Sequence, residues 1–377
     1  MRKRNVIIPI AVLIQCMVGC TDRTGKGAGH LLTGKEPFQK ELAGKKVELV
    51  TLDNRKGLTV QITNYGGKIV SIICPDKNGD LKDICLGYET LDEYINGAAS
   101  LGATMGPYAN RIANAEFELD GRVYVLDKNN GEHTIHGGSA AFRSRVWDIN
   151  NVKDDELTLS ILSEDGAGGF PGNLHLTVTF SLTGENGLNI HYHATTDKRT
   201  VINFTNHAFF NLAGEGSGNV LGHELMVNGD SITPVDSTGI PTGEIVPVEG
   251  TPFDFRTSKP IGRDIEEDDI QLRHMGGYDH NYLLNPGSST LIHAATLKDP
   301  QSGRIMEVFT TEPGLQVYTA NTLKTVGKGG KHYGSHSSIC LETQHFPDSP
   351  HHANFPSCVL EPGNDYTSTT VYRFSVE

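Results

Sequence analysis

The chain is short of several things that would each have pointed to a class of protein. It has one tryptophan in 377 residues, 7% aromatic residues, 20% charged residues and no excess of positive charge: 32 Lys+Arg stand against 45 Asp+Glu, a formal charge of −13. Such a balance argues against a protein whose main work is gripping nucleic acid phosphates. No CxxC pair suggests a zinc ribbon, no repeat recurs at a fixed period, and no charge block or low-complexity tract divides the chain beyond residue 38. What is abundant is glycine, with 43 residues where average usage would give about 26. Together with 37% hydrophobic residues, this predicts a globular, turn-rich protein with many strands and a large core.

The one long apolar run is at the N-terminus, MRKRNVIIPIAVLIQCMVGC. Arg2, Lys3 and Arg4 precede an apolar stretch from Val6 to Gly19 that is too short to span a bilayer comfortably, which is the pattern of an export signal. Met17-Val18-Gly19-Cys20 resembles the bacterial lipobox, with Met where leucine is commoner. The expectation is therefore a signal peptide over 1–19, a lipidated Cys20, and a flexible tether over 20–37 leading to a single domain at 38–377. The chain would be an exported bacterial lipoprotein, facing the periplasm or anchored to the outer membrane, whose only membrane contact is that lipid. GKGAG in the tether has no strand before it or helix after it, so it reads as linker and not as a nucleotide loop. Cys74, Cys85, Cys340 and Cys358 remain, with no pairing fixed by the sequence.

Leu174, Leu176, Val178, Phe180 and Leu182 alternate with polar residues, and Leu188, Ile190, Tyr192 and Ala194 do the same beyond the turn TGENG, predicting a hairpin of half-buried strands. Similar runs lie at 47–52, 58–63, 68–74, 123–126, 157–162, 305–309 and 357–360. Helical patterns are short, near 88–96 and 263–274. The pattern predicts an all-β fold, a large antiparallel β-sandwich with few helices.

Five polar clusters sit at strand ends or turns, where side chains can converge on a cleft. GPYANRIAN carries Asn110 and Arg111, able to hold a hydroxylated or anionic ligand, with a structural arginine as the competing reading. HTIHGG sets His136 beside two glycines that permit close backbone approach; an oxyanion loop with Ser139 as nucleophile is set aside because no GxSxG elbow accompanies it. NFTNHAFFNL surrounds His207 with Asn206 and Asn211. GGYDHNYLL supplies Asp279 and His280 at the start of an apolar strand, and CLETQHFPDSPHH puts Glu342 at the end of a buried strand before a Pro-broken loop, an expensive place for a carboxylate unless it is paired or used. His191 and His193 share a strand face, but without a third ligand they read as a solvated surface, as does His351-His352, and no metal site is expected.

Nine segments in order, including NYGGKIVSI, GPYANRIAN, NNGEHTIHGG, DGAGGFPGNL, TDKRTVINFTNHAFFNL, GGYDHNYLL, EPGLQVYTAN, LETQHFPDSP and EPGNDYTSTTVYRF, make the region 46–376 resemble the aldose 1-epimerase (galactose mutarotase) family. Two positions depart from its pattern: Pro107 where Arg is usual, and Phe209 where Tyr is usual. The resemblance implies the galactose mutarotase-like supersandwich, a small-molecule sugar substrate and no cofactor. It assigns Glu342 as the base at O1, His207 as the acid at the ring oxygen O5, and Arg111, His136 and Asp279, with Asn110 nearby, as holders of the sugar hydroxyls. Histidine can exist in either protonation state near neutral pH, which suits that role. Rival readings are a glycoside hydrolase using Glu342 and Asp279, a carbohydrate-binding module, and a sugar-phosphate epimerase using Lys324, Lys328 and Lys331. The choice of aldose is not legible in the sequence.

Overall fold

The computed structural model describes residues 31–287 and 291–377. The expected signal segment, Cys20 and the first part of the expected tether lie outside the described residues. The last part of that tether already lies on the domain: Thr33 is buried, its N–H donates to Gln61 Oε1 (2.8 Å), and its carbonyl accepts from Gln61 Nε2 (3.0 Å). Docked chain is thus present by Thr33, earlier than residue 38. No helix among the described residues is long and apolar enough to cross a membrane.

Strand propensity and alternation build the architecture. In Leu174–Leu182 every apolar residue of the alternating set is buried, and the same holds in Gly187–Thr196. The turn between them closes through Thr183 N–H donating to the Gly187 carbonyl (2.8 Å), with Asn186 in the left-handed region at φ 57°, a conformation that asparagine tolerates. These two strands lie within a nine-stranded antiparallel sheet that runs, in spatial order, Asp148–Val152, Glu156–Ser163, Leu174–Leu182, Gly187–Thr196, Tyr366–Val376, Arg304–Thr310, Ile292–Lys298, Glu224–Val227 and Lys259–Pro260. Its buried face meets two smaller sheets. One is four-stranded, Leu49–Asp53, Thr59–Thr63, Lys68–Pro75 and Leu81–Asp83. The other is five-stranded, Val246–Pro247, Ser231–Thr233, Asp279–Leu283, Gly314–Tyr318 and Cys340–Gln344.

One continuous core joins all three sheets: Leu52, Val60 and Ile62 from the first of the small sheets, Leu315, Val317 and Leu341 from the second, and Leu159, Val178, Ile190 and Tyr372 from the large one. Tyr372 in the large sheet donates its hydroxyl to the Leu341 carbonyl (3.1 Å), tying the layers together. The fold is thus a large antiparallel sandwich.

The two α-helices among the described residues are short. Leu91–Asn96 starts in a capping box between Thr90 and Glu93, which satisfies two otherwise unpaired amide groups. Ile270–Met275 is capped by Asp269 and stopped by Gly276 at φ 66°. It occupies only the end of the pattern read over 263–274, whose beginning falls in the close of a 3-10 turn, Ile261–Arg263, and an irregular bend. Cys74, Cys85, Cys340 and Cys358 are all free and buried.

Candidate active site

Period-two geometry aims the site residues. In Cys340–Gln344, Leu341 enters the sandwich core, so Cys340, Glu342 and Gln344 face the other way. The register continues this face across the sheet: Glu342 lies opposite Gln316, Tyr318 opposite both Cys340 and Asp279. A polar strip thus runs over the outer face of the five-stranded sheet, while Leu315, Val317 and Leu341 on its inner face join the core.

The other walls come from two short strand pairs. Thr205–His207 pairs with Ala103–Met105 and presents His207. Arg111–Ile112 pairs with Thr134–Ile135, setting Arg111 opposite Ile135 and next to the loop of His136. That loop is tightly specified. Asn110 and His136 both have positive φ, 64° and 52°, and each holds the other: the Asn110 N–H donates to His136 Nδ1 (3.1 Å) and the His136 N–H donates to the Asn110 carbonyl (3.0 Å). Gly137, at φ 86°, has no room for a side chain, since a Cβ there would lie 2.4 Å from the Gly106 carbonyl oxygen. The glycine pair flagged in the sequence is needed for this approach.

Asn110, Arg111, His136, His207, Asp279 and Glu342 all line one cavity of about 420 Å³, within the range of small-molecule sites. At its centre His207 Nε2 lies 3.5 Å from Glu342 Oε1, with both side chains almost wholly buried. His136 stands edge-on to His207, with ring centroids 5.5 Å apart. Phe209 stacks on the other side of His207 at 4.8 Å, and Tyr318 approaches edge-on at 6.2 Å. Asp279 is gripped by Gln316, whose Nε2 donates to Oδ1 (2.6 Å), and faces Arg111 across 3.9 Å.

Burial sets the proton affinities here. It drives His207 down from its ordinary value to about 4. His136 is pushed well below its ordinary range, first by burial and then by His207 and the nearby arginines; since its Nδ1 accepts from a backbone amide, its proton is on Nε2 and is available to donate. Burial raises Asp279, against the pull of Arg111 and Gln316. Glu342 is raised well above the carboxylate range by burial and by the negative charge of Asp279, with Arg111 opposing. Both members of the central pair therefore resist charge when alone. A proton shared between them sits either on Glu342, as a neutral pair, or on His207, as an ion pair.

Several sequence readings are redirected by the structure. Asn206 and Asn211 are not cavity groups: Asn206 Nδ2 donates to the Gly102 carbonyl, and Asn211 Nδ2 to those of Gly218 and Ser337. The lysine patch does not exist as one. Lys328 is buried, donating to Asp83 Oδ2 (2.6 Å) and to the carbonyls of Val70 and Cys85. Lys331 pairs with Glu215, and Lys324 alone reaches the cavity. His191 bonds Thr369 and His193 faces Asp365 at the surface, while His351 and His352 flank Asp348. Pro107, one of the two departures from the family pattern, is absent from the cavity lining and packs against Gly137. Gln316 and Tyr318 went unassigned in the sequence; the alternation Leu315-Gln316-Val317-Tyr318 was the signal that would have placed them on the polar face.

Comparison with known proteins gives the family and the fold. Residues 48–373 match the family model described as aldose 1-epimerase. The chain is 41% identical over 323 residues to the galactose mutarotase of Sus scrofa, covering 85% of this chain and 92% of the relative. It is 39% identical over 337 residues to the aldose 1-epimerase of Escherichia coli (strain K12), covering 89% and 97%. Among solved structures it superimposes on an aldose epimerase homologue from C. elegans with TM-score 0.82 and 32% identity, covering 88% of this chain and 99% of that one.

Proposed function

Because the chain belongs to the aldose 1-epimerase family and is an isomerase that interconverts aldose anomers, we propose that Glu342 and His207 carry its two proton transfers while Arg111, His136 and Asp279, with Asn110 nearby, hold the sugar. The observation that carries this reading is the 3.5 Å approach of His207 Nε2 to Glu342 Oε1 at the centre of the polar cavity. O1 and O5 are bonded to the same carbon, so their acid and base must stand side by side. A glycoside hydrolase would need a second carboxylate free to act, and Asp279 is already held by Gln316 and faced by Arg111.

Ring opening starts from the ion-pair form. Glu342 accepts the O1 proton, the C1–O5 bond breaks with its electrons moving to O5, and His207 donates its proton to O5. C1 is now an aldehyde carbon. Rotation about C1–C2 turns its other face to O5, and closure runs the same transfers backwards, with His207 as base and Glu342 as acid. The sugar selects the ionic form, because its hydroxyls donate to the Glu342 carboxylate and replace water that burial has removed. His136, with its proton on Nε2, donates to a hydroxyl; Asp279 accepts from one; Arg111 only donates. Polarimetry of freshly dissolved α-galactose and other aldoses, with and without enzyme, tests the assignment and ranks the substrates.

For its address, the basic start, the apolar run and Gly19-Cys20 support export and lipidation at Cys20, leaving the domain tethered to a membrane by acyl chains alone. Cys20→Ala is expected to stay active but to leave the membrane fraction, and labelled fatty acid entering that variant at the parental level would overturn the anchor.

A further inference from the structure

Cys340 has no part in the proton relay, yet it adjoins the two groups that do. It precedes Glu342 by two residues on the same strand face, opposite Tyr318, and its side chain is wholly buried. One ligand atom from each of His207, Cys340 and Glu342 lies within 4.8 Å of the others. We propose that these three residues form a site for a thiophilic divalent cation, Zn²⁺ or Cd²⁺, and that its occupancy shuts off mutarotation. The second half of this proposal rests on the acid and base roles given above; the first half does not.

Nitrogen, sulfur and oxygen donors in this combination suit zinc. Tetrahedral bonds to zinc place neighbouring donor atoms about 3.3–3.6 Å apart. The His207 Nε2 to Glu342 Oε1 distance of 3.5 Å already meets that spacing, and the thiol, within 4.8 Å of them, needs to close by no more than about 1.2–1.5 Å. Charge agrees as well. A neutral imidazole, a thiolate and a carboxylate sum to −2 and cancel a divalent ion, so a buried site that penalises each anion alone accepts the complete set. Asp279 adds negative potential, and Arg111, facing Asp279, opposes it. An independent sign of unused binding capacity is Glu342 Oε2, a buried oxygen with no hydrogen-bond partner among the described residues, in a side chain that lines the cavity.

Binding is a ligand exchange without redox change. The cation sheds water molecules, Cys340 Sγ–H loses its proton to solvent, and the proton shared by Glu342 and His207 is released too. A fourth position stays open to water. Since two protons leave, affinity should rise with pH, by up to about tenfold per pH unit for each proton.

The test uses the whole protein. Co²⁺ serves as a spectroscopic probe, and Zn²⁺ as an inhibitor in polarimetry. The expected result is a one-to-one Co²⁺ complex with a thiolate-to-cobalt charge-transfer band, Zn²⁺ inhibition that chelator reverses and galactose competes against, and steeper inhibition at higher pH. Cys340→Ala should keep basal activity, lose the band and need at least ~10–100-fold more Zn²⁺ for inhibition, the range that even an outer-shell partner is worth. Should that variant fold poorly, Cys340→Ser keeps the size and still removes the soft donor. A cobalt complex without the thiolate band, or Zn²⁺ inhibition undiminished in a folded Cys340 variant, would overturn the site. A normal cobalt band with unaltered mutarotation would refute the inhibitory half and tell against the catalytic roles of His207 and Glu342, while leaving the metal site standing.

Discussion

Replacing Glu342 by Gln changes one oxygen for an amide nitrogen, yet it should disable both halves of the proton relay. The structure says by how much. Burial lowers His207 from 6.5 to about 4, which makes the imidazolium about 3 kcal/mol less favourable than in water at 1.36 kcal/mol per pKa unit. The compensating charge is the Glu342 carboxylate at 3.5 Å, whose attraction at an effective dielectric near 20 is about 5 kcal/mol. That attraction offsets the cost of the imidazolium, while the burial cost of the Glu342 carboxylate is left for the sugar hydroxyls to offset. Glu342→Gln removes the base, worth roughly 10²–10⁴ in rate, and also strands the acid in a site that rejects its charge, so the loss should lie at the upper end, about 10⁴-fold. Polarimetry on α-galactose, with the spontaneous rate subtracted, measures it. Stability should move the other way. Glu342 has a folded pKa above its unfolded value, so the parent binds that proton more tightly when folded and loses stability as pH climbs above about 4.5. The Gln variant has nothing to titrate there, and its Tm at pH 7 to 8 should equal or exceed the parent's. A folded Glu342→Gln protein within tenfold of the parental rate would refute the reasoning.

Other expectations follow from the same geometry. His207→Asn keeps a hydrogen-bond donor but cannot shuttle a proton, so it should slow conversion of α-galactose by roughly 10²–10⁴-fold while the sugar still binds; a folded variant with the parental rate would remove His207 as the acid. The same variant should resist acid better: the folded pKa of about 4 lies below the unfolded 6.5, so the parent loses up to about 3 kcal/mol as pH falls from 6.5 to 4, a slope that denaturant titrations at several pH values should find reduced. Parental activity against pH should be bell-shaped, its acid limb marking a second proton on the pair and its alkaline limb the loss of the first; a flat profile from pH 4 to 9 would contradict a one-proton pair. Lys328→Met should cost about 3–5 kcal/mol by leaving Asp83 without its buried partner, with kcat and KM of the folded fraction unchanged, whereas a raised KM would restore a ligand role for that lysine.

The contrast between Lys328 and Glu342 marks what a sequence of this kind can disclose. Both are charged residues in glycine- or apolar-rich settings, and both are buried. Glu342 was legible because it follows the apolar run Ile339-Cys340-Leu341, and a carboxylate at the end of a buried strand demands a reason. Lys328 sits in a loop whose partner Asp83 is 245 positions away, a separation that no local pattern encodes, so the sequence offered it only as one of three lysines for a rival reading. The same limit explains Asn206 and Asn211, whose carbonyl partners come from distant segments, and Gln316, whose value lies in reaching Asp279 on the neighbouring strand. The long hairpin of the large sheet was visible for the opposite reason: its turn and both alternating faces are contiguous in the chain. Proton affinities were the least visible property. Histidine's ordinary value near 6.5 suggested a ready acid, but the aromatic packing of Phe209 and Tyr318 around His207 makes the free imidazolium unfavourable. The acid therefore exists only together with its base, and the catalytic unit is the pair.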